Sequence, residues 1–179
     1  RSTTHQAKLV QVEEMLLESN LDPERSSFLY KIVCSLAHFA ENRKFGSTLI
    51  LDLNDDPVAL SGQKLEHPID LRQLNYLELA KSLAKVDGAL HICRDLKLHA
   101  FACLLDGRSI PGEDRARGAR FNSALRFTAE HQNLIVVVVS SDRPVSTIQE
   151  GIEVSAQCQW SPVSTCAIQH QPLEAWLNA

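Results

Sequence analysis

Residues 134–139 read Leu-Ile-Val-Val-Val-Val. Six apolar residues in a row, all but the first β-branched, are far too few to cross a membrane, which takes about 20. They are the right length for a strand that is apolar on both faces. Such a strand needs a layer above and a layer below it. The run therefore points to an α/β fold, a mixed central sheet flanked by helices. The other long apolar run, Ala100 to Leu105, is also of strand length.

The remaining pattern supplies the covering layers. Leu9, Val12 and Leu16 recur at helical spacing among charges and predict an amphipathic helix over 5–19. Asp22-Pro23-Glu24 reads as a second helix start, with Asp as N-cap and Pro at the first helical position. That helix carries Phe28, Leu29, Ile32, Val33, Leu36 and Phe39 and stops before Gly46. Ser47 to Leu53 is a strand closed by the turn Asn54-Asp55-Asp56-Pro57, with a short strand expected near Val58–Leu60. A third helix, capped by Asp70 and running to Leu83, has leucines on more than one side and reads as largely buried. Gly88–Cys93 and Leu98–Leu105 form a hairpin around Arg94–Lys97. A polar loop covers 106–118, and a helix follows to about His131. Val145–Gln149 is a further strand. One more is expected within 152–168, and a short helix at Pro172–Leu177.

Length and composition fit a single globular unit. The chain has 179 residues, and scaling laws bury about 70% of the surface of such a chain. Hydrophobic residues at 44% and charged residues at 22% exclude global disorder. We divide the chain into an N-terminal helical segment, 1–45, packing on a core domain, 46–179. A net charge of −4 gives no nucleic-acid signal. An odd cysteine count, five, without a CxxC pair suggests a reduced, cytoplasmic setting. No secretory signal is visible, and a start other than Met reads as a piece of a longer protein.

Four groupings can carry chemistry. Asp87-Gly88-Ala89 sits at a helix–strand junction, where Gly lets backbone approach a ligand and Asp can hold a metal or accept a hydroxyl proton. Arg115, Arg117 and Arg120 flank Gly118 where a helix should begin, a setting that suits phosphate; Asn122 and Ser123 add neutral hydrogen-bonding groups. Ser140-Ser141-Asp142 follows the buried strand, and ligands of open α/β sheets gather at strand ends. His91, Cys93, His99 and Cys103 share a hairpin. Zinc accepts such ligands, but no tight chelating pair is present, and buried cysteines beside satisfied histidines are the plainer reading. Each of the first three groupings also has a plain reading as a turn or a solvated basic loop.

In order and spacing, Val86-Asp-Gly-Ala-Leu90, Gly118-Ala-Arg-Phe-Asn-Ser-Ala124 and Ile135–Ser146 resemble the diadenylate cyclase domain family. That family includes the nucleotide-binding domain of the bacterial DNA integrity scanning protein. Gly46–Leu51 and Leu60–Gln63 extend the likeness, which covers about 40–150. The resemblance implies an enzyme that condenses two ATP molecules into cyclic di-AMP, with a divalent metal, Mn²⁺ or Mg²⁺, and a homo-oligomer whose active sites face each other. By the same resemblance Asp87 and Arg120 are catalytic, and Asp87 and Asp142 serve the metal. Gly88, Ala89, Gly118, Arg120, Phe121, Asn122, Ser123 and Ser140 line the nucleotide. The family's Arg-His-Arg is Arg120-Phe121-Asn122 here. This leaves a nucleotide-sensing module of weak or no activity as the alternative.

Overall fold

The computed structural model describes residues 3–154. Helices α1 (Thr3–Glu18) and α2 (Pro23–Arg43) precede strands β1 (Ser47–Asp52) and β2 (Ser61–Asp70). Helix α3 (Leu74–Leu83), the hairpin strands β3 (Ala89–Cys93) and β4 (Lys97–Leu104) and helix α4 (Ala119–Glu130) follow. Strands β5 (Leu134–Val139), β6 (Ser146–Gln149) and β7 (Ile152–Glu153) complete one seven-stranded sheet in the order β2-β4-β3-β1-β5-β6-β7. Among the described residues only β1 and β3 pair in parallel; the other pairs are antiparallel, so the sheet is mixed.

The central strands are apolar on both faces because both faces are covered. Leu49, Leu51, Ile135, Val137 and Val139 join one core with α1 and α2. Ile50, Leu134, Val136 and Val138 point the other way, into a core with Phe121, Ala124, Leu125 and Phe127 of α4. The period-2 alternation thus sorts one continuous apolar run into two cores. Asp22 caps α2 as its sequence suggests, its Oδ1 accepting from the Arg25 N–H at 3.0 Å. Lys44, at φ 55°, ends the helix in the left-handed region.

Three expectations are corrected. Residues 58–60 are not a strand; the strand is β2, beginning at Ser61. It is an edge strand, almost wholly exposed, and carries Pro68, so it shows no apolar alternation for sequence reasoning to find. Asp70 does not cap α3: it ends β2 and its carboxylate binds Arg72, while Gln73 occupies the cap position. Nor is α3 largely buried. Only Ala80 is, while Leu74 is 72% and Leu79 46% exposed. The expected helix at 172–177, and the stretch of 152–168 beyond β7, lie outside the described residues. No helix among the described residues is long and apolar enough to cross a membrane.

Candidate active site

Asp87 stands where the chain leaves α3 for β3, and Arg120 stands in the first turn of α4. Arg120 Nη2 reaches Asp87 Oδ1 at 3.3 Å across 33 residues of sequence. The Asp87 side chain is 97% exposed, so this long contact leaves its carboxylate open to solvent.

Local backbone explains why the two meet. Gly88 has φ +108°, and a Cβ there would fall 2.6 Å from the carbonyl carbon of Ala102. Ala102 itself has φ 51°, at a register shift in the β3–β4 pairing. The bulge in β4 pushes backbone against residue 88, and only glycine fits. A Cβ at Gly46 would lie 2.6 Å from Arg120 Nη1, so the guanidinium rests on bare backbone just ahead of β1.

Two cavities share Asp87, Ala119 and Arg120 in their walls. The larger, about 490 Å³, is also bounded by Arg117, Gly118, Phe121, Ser140 and Arg143. It lies at the uncapped start of α4: Gly118 is the N-cap and no side chain bonds the first-turn N–H groups. Free N–H groups, the helix dipole and the guanidinium groups of Arg120 and Arg143 are the kinds of group that suit an anion. The smaller, about 260 Å³, is bounded by Thr48, Gly88, Ala89, Leu104, Leu105, Asp106 and Ser123, and has one guanidinium group in its wall instead of three.

The neighbours of Arg120 turn elsewhere. Phe121 is buried, with the Arg117 guanidinium 3.9 Å above its ring centre. Arg117 is in turn forked onto Glu153 at 2.9 Å and touches Ser146 Oγ at 3.3 Å. Asn122 is buried, donates to the Asp114 carbonyl at 2.9 Å, and lines neither cavity. Ser140 donates to Asp142 Oδ1 at 2.7 Å, and Asp142 is not in either wall. Arg115 is likewise absent from both walls. Sequence reading did not single out Arg143, although it lies within the Ile135–Ser146 segment.

A mixed sheet with an arginine-walled cavity at a helix start has the architecture of a nucleotide-binding domain. The comparisons name the family: residues 36–152 match the family described as "DAC: DisA bacterial checkpoint controller nucleotide-binding", and the chain belongs to it. The fold resembles two solved structures. One is a hypothetical membrane spanning protein from Bacillus cereus, with 19% identity and a TM-score of 0.58; the match covers 72% of this chain and 66% of that one. The other is a double mutant of DacA from Staphylococcus aureus, with 17% identity and a TM-score of 0.57, covering 74% of this chain and 87% of that one. No curated protein matches.

The family's divalent metal suits what the cavity offers. A hard cation at a nucleotide is held by one or two carboxylates together with substrate phosphates. Asp87 is the one carboxylate in the wall of the larger cavity and is open to solvent.

Proposed function

We propose that the domain is a diadenylate cyclase, condensing two ATP into cyclic di-AMP with release of two pyrophosphates. The observation that carries this reading is the Asp87–Arg120 pair standing on the wall shared by both cavities. One cavity is walled by guanidinium groups and suits phosphates; the other, with Ala89, Leu104 and Leu105, suits a base.

In each bond-forming step the 3′-hydroxyl oxygen of one ATP attacks the α-phosphorus of the other. The bond from that phosphorus to the β-phosphate oxygen breaks, and pyrophosphate leaves. Asp87 accepts the hydroxyl proton. Arg120 and the N–H groups of Ala119 and its neighbours hold the phosphates. Mn²⁺ or Mg²⁺, held by Asp87, would neutralise phosphate charge. Asp142 positions the Ser140 hydroxyl at the cavity rim rather than touching the nucleotide. Two such sites face each other in a homo-oligomer. ATP supply fits a cytoplasmic setting.

A second reading rests on a specific observation: Phe121, a buried ring on the larger cavity's wall, and Asn122, buried against Asp114, carry no charge where the family pattern has two further basic groups. On that reading the domain binds nucleotide as a sensor. Incubating the protein with ATP and Mn²⁺ or Mg²⁺ and weighing the nucleotides by mass spectrometry separates the two. Cyclic di-AMP from wild type, lost in Asp87→Asn, supports the cyclase. Tight ATP binding without product, over a wide range of protein and metal concentrations, replaces it with the sensor.

A further inference from the structure

At the far end of β3 from Asp87, about 20 Å along the strand by its rise per residue, three side chains converge. Asp52 ends β1, and Cys93 ends β3 directly beside it in the parallel register. His91 lies two residues before Cys93 and so shares its face. All three are buried, at 0%, 4% and 2% exposure. Their carboxylate oxygen, imidazole nitrogen and sulfur lie within 4.8 Å of one another.

We propose that Asp52, His91 and Cys93 form a binding site for one Zn²⁺ ion, separate from the nucleotide cavities.

The ligand set is one zinc takes: carboxylate oxygen, imidazole nitrogen and sulfur. The Cys93 Sγ to His91 Nε2 separation is 3.6 Å. Tetrahedral zinc, with roughly 2.3 Å to sulfur and 2.0–2.1 Å to nitrogen, sets those two atoms about 3.6 Å apart. The His91 Nε2 to Asp52 Oδ2 separation is 2.8 Å, and these two need to part by about 0.5 Å to flank an ion.

Protons alone serve the cluster poorly. One nitrogen, His91 Nε2, faces both partners. If it carries a proton it can give it to Asp52, but it then has no lone pair for the Cys93 thiol. A cation between the three satisfies all of them at once, as a thiolate, a neutral imidazole and a carboxylate. The carboxylate is held ready by outer contacts: the Val58 N–H donates to Oδ2 at 2.7 Å, and Asn54 donates its N–H and its side-chain amide to Oδ1 at 3.1 and 2.9 Å. Such outer partners fix the orientation of metal ligands. There is also a route in. A cavity of about 250 Å³ has His91 in its wall beside Val58 and His99. His99 is itself held by Asp95 at 2.9 Å and is not counted among the ligands.

The test is titration of the full chain with Co²⁺ alone, followed by Zn²⁺. Expected are one equivalent of Co²⁺ per chain, the visible bands of a tetrahedral site, a sulfur-to-cobalt charge-transfer band, and displacement by Zn²⁺. The band disappears in Cys93→Ser and persists in Cys103→Ser and in a Cys158→Ser/Cys166→Ser double variant. Asn54→Ala, which removes an outer contact, weakens Zn²⁺ binding about tenfold. Should Cys93→Ser fail to fold, His91→Gln carries the same comparison through the nitrogen ligand. The proposal is overturned if wild type shows no charge-transfer band and its melting curve ignores both Zn²⁺ and chelator, for the cluster is then a hydrogen-bonded charge pair only. It is equally overturned if the band survives in Cys93→Ser or vanishes only in the Cys158/Cys166 variant.

Discussion

Arg120 has two contacts that fix its position, Asp87 at 3.3 Å and the bare backbone of Gly46. A charged hydrogen bond to phosphate is worth about 1.5–3 kcal/mol. Arg120→Ala should therefore weaken ATP binding by tenfold or more, read by calorimetry, with the fold intact. Phe121→His should leave binding in place, because residue 121 contributes a buried ring beneath Arg117 to the cavity wall and no charge. Equal affinity in wild type and Arg120→Ala would remove Arg120 from the site. Gly88→Ala tests the backbone beneath it. The new methyl meets the Ala102 backbone at 2.6 Å and strains a φ of +108°, so a loss of about 1–3 kcal/mol or more in chemical unfolding is expected. At this scale the sequence was informative where chemistry needs a residue type. Asp87, Gly88 and Arg120 are marked by motif and spacing, and they do share a cavity wall. It was uninformative where direction decides. Asn122 and Ser123 are neighbours of equal promise in the sequence, yet the helix turns Asn122 into the protein and Ser123 to the smaller cavity. Asp52 escaped notice for a related reason: the register of two strands, which no spacing reveals, brings it beside Cys93.

Elements were legible in proportion to their burial. β1, β3 and β5 are buried along their whole length and were legible as strands, although only β5 is an unbroken apolar run. The helix starts at Asp22 and Gly118 stand close to where their caps placed them. β2 and α3 were misread because solvent, not the core, sets their composition. The loop 106–118 is tied to α4 at three places: Asn122 donates to the Asp114 carbonyl, Glu130 accepts from Arg108, and Arg126 Nε and Nη2 fork onto Glu113, which also accepts from the Ile110 N–H at 2.9 Å. The Arg126 side chain and then the Ile110 N–H hold the Glu113 carboxyl down from 4.5 to about 2. A carboxyl depressed in the folded state adds stability above its unfolded value and loses it as pH falls through the folded one. Wild type should therefore melt above Glu113→Gln by a constant margin at pH 5 and higher, and that margin should close between about pH 4.5 and 2. A margin independent of pH across that window would show that the fork does not anchor the loop. At the start of α2, Asp22→Ala removes the cap to the Arg25 N–H and should cost about 1 kcal/mol in chemical unfolding.

At the scale of the whole molecule the cyclase reading makes this site one half of a pair. The Asp87 side chain is 97% exposed, so its carboxylate is open to solvent. Among the described residues, a single chain presents one arginine-walled cavity beside a smaller one that Leu104, Leu105 and Asp106 help to line, both sharing the same pair. That is room for one nucleotide held by its phosphates and base. Two reacting nucleotides, as the cyclase reading requires, must then arrive on two chains whose sites meet. Self-association is a mass-action equilibrium, so specific activity should climb with protein concentration and level off once assembly saturates. ATP binding, which needs only one chain, should not vary with concentration over the same range. The two measurements together decide the matter. Activity per chain that stays flat down to concentrations where the protein sediments as a monomer would show that one subunit suffices. The facing-site arrangement would then fall, even though the Asp87–Arg120 pair remained the place where ATP is held.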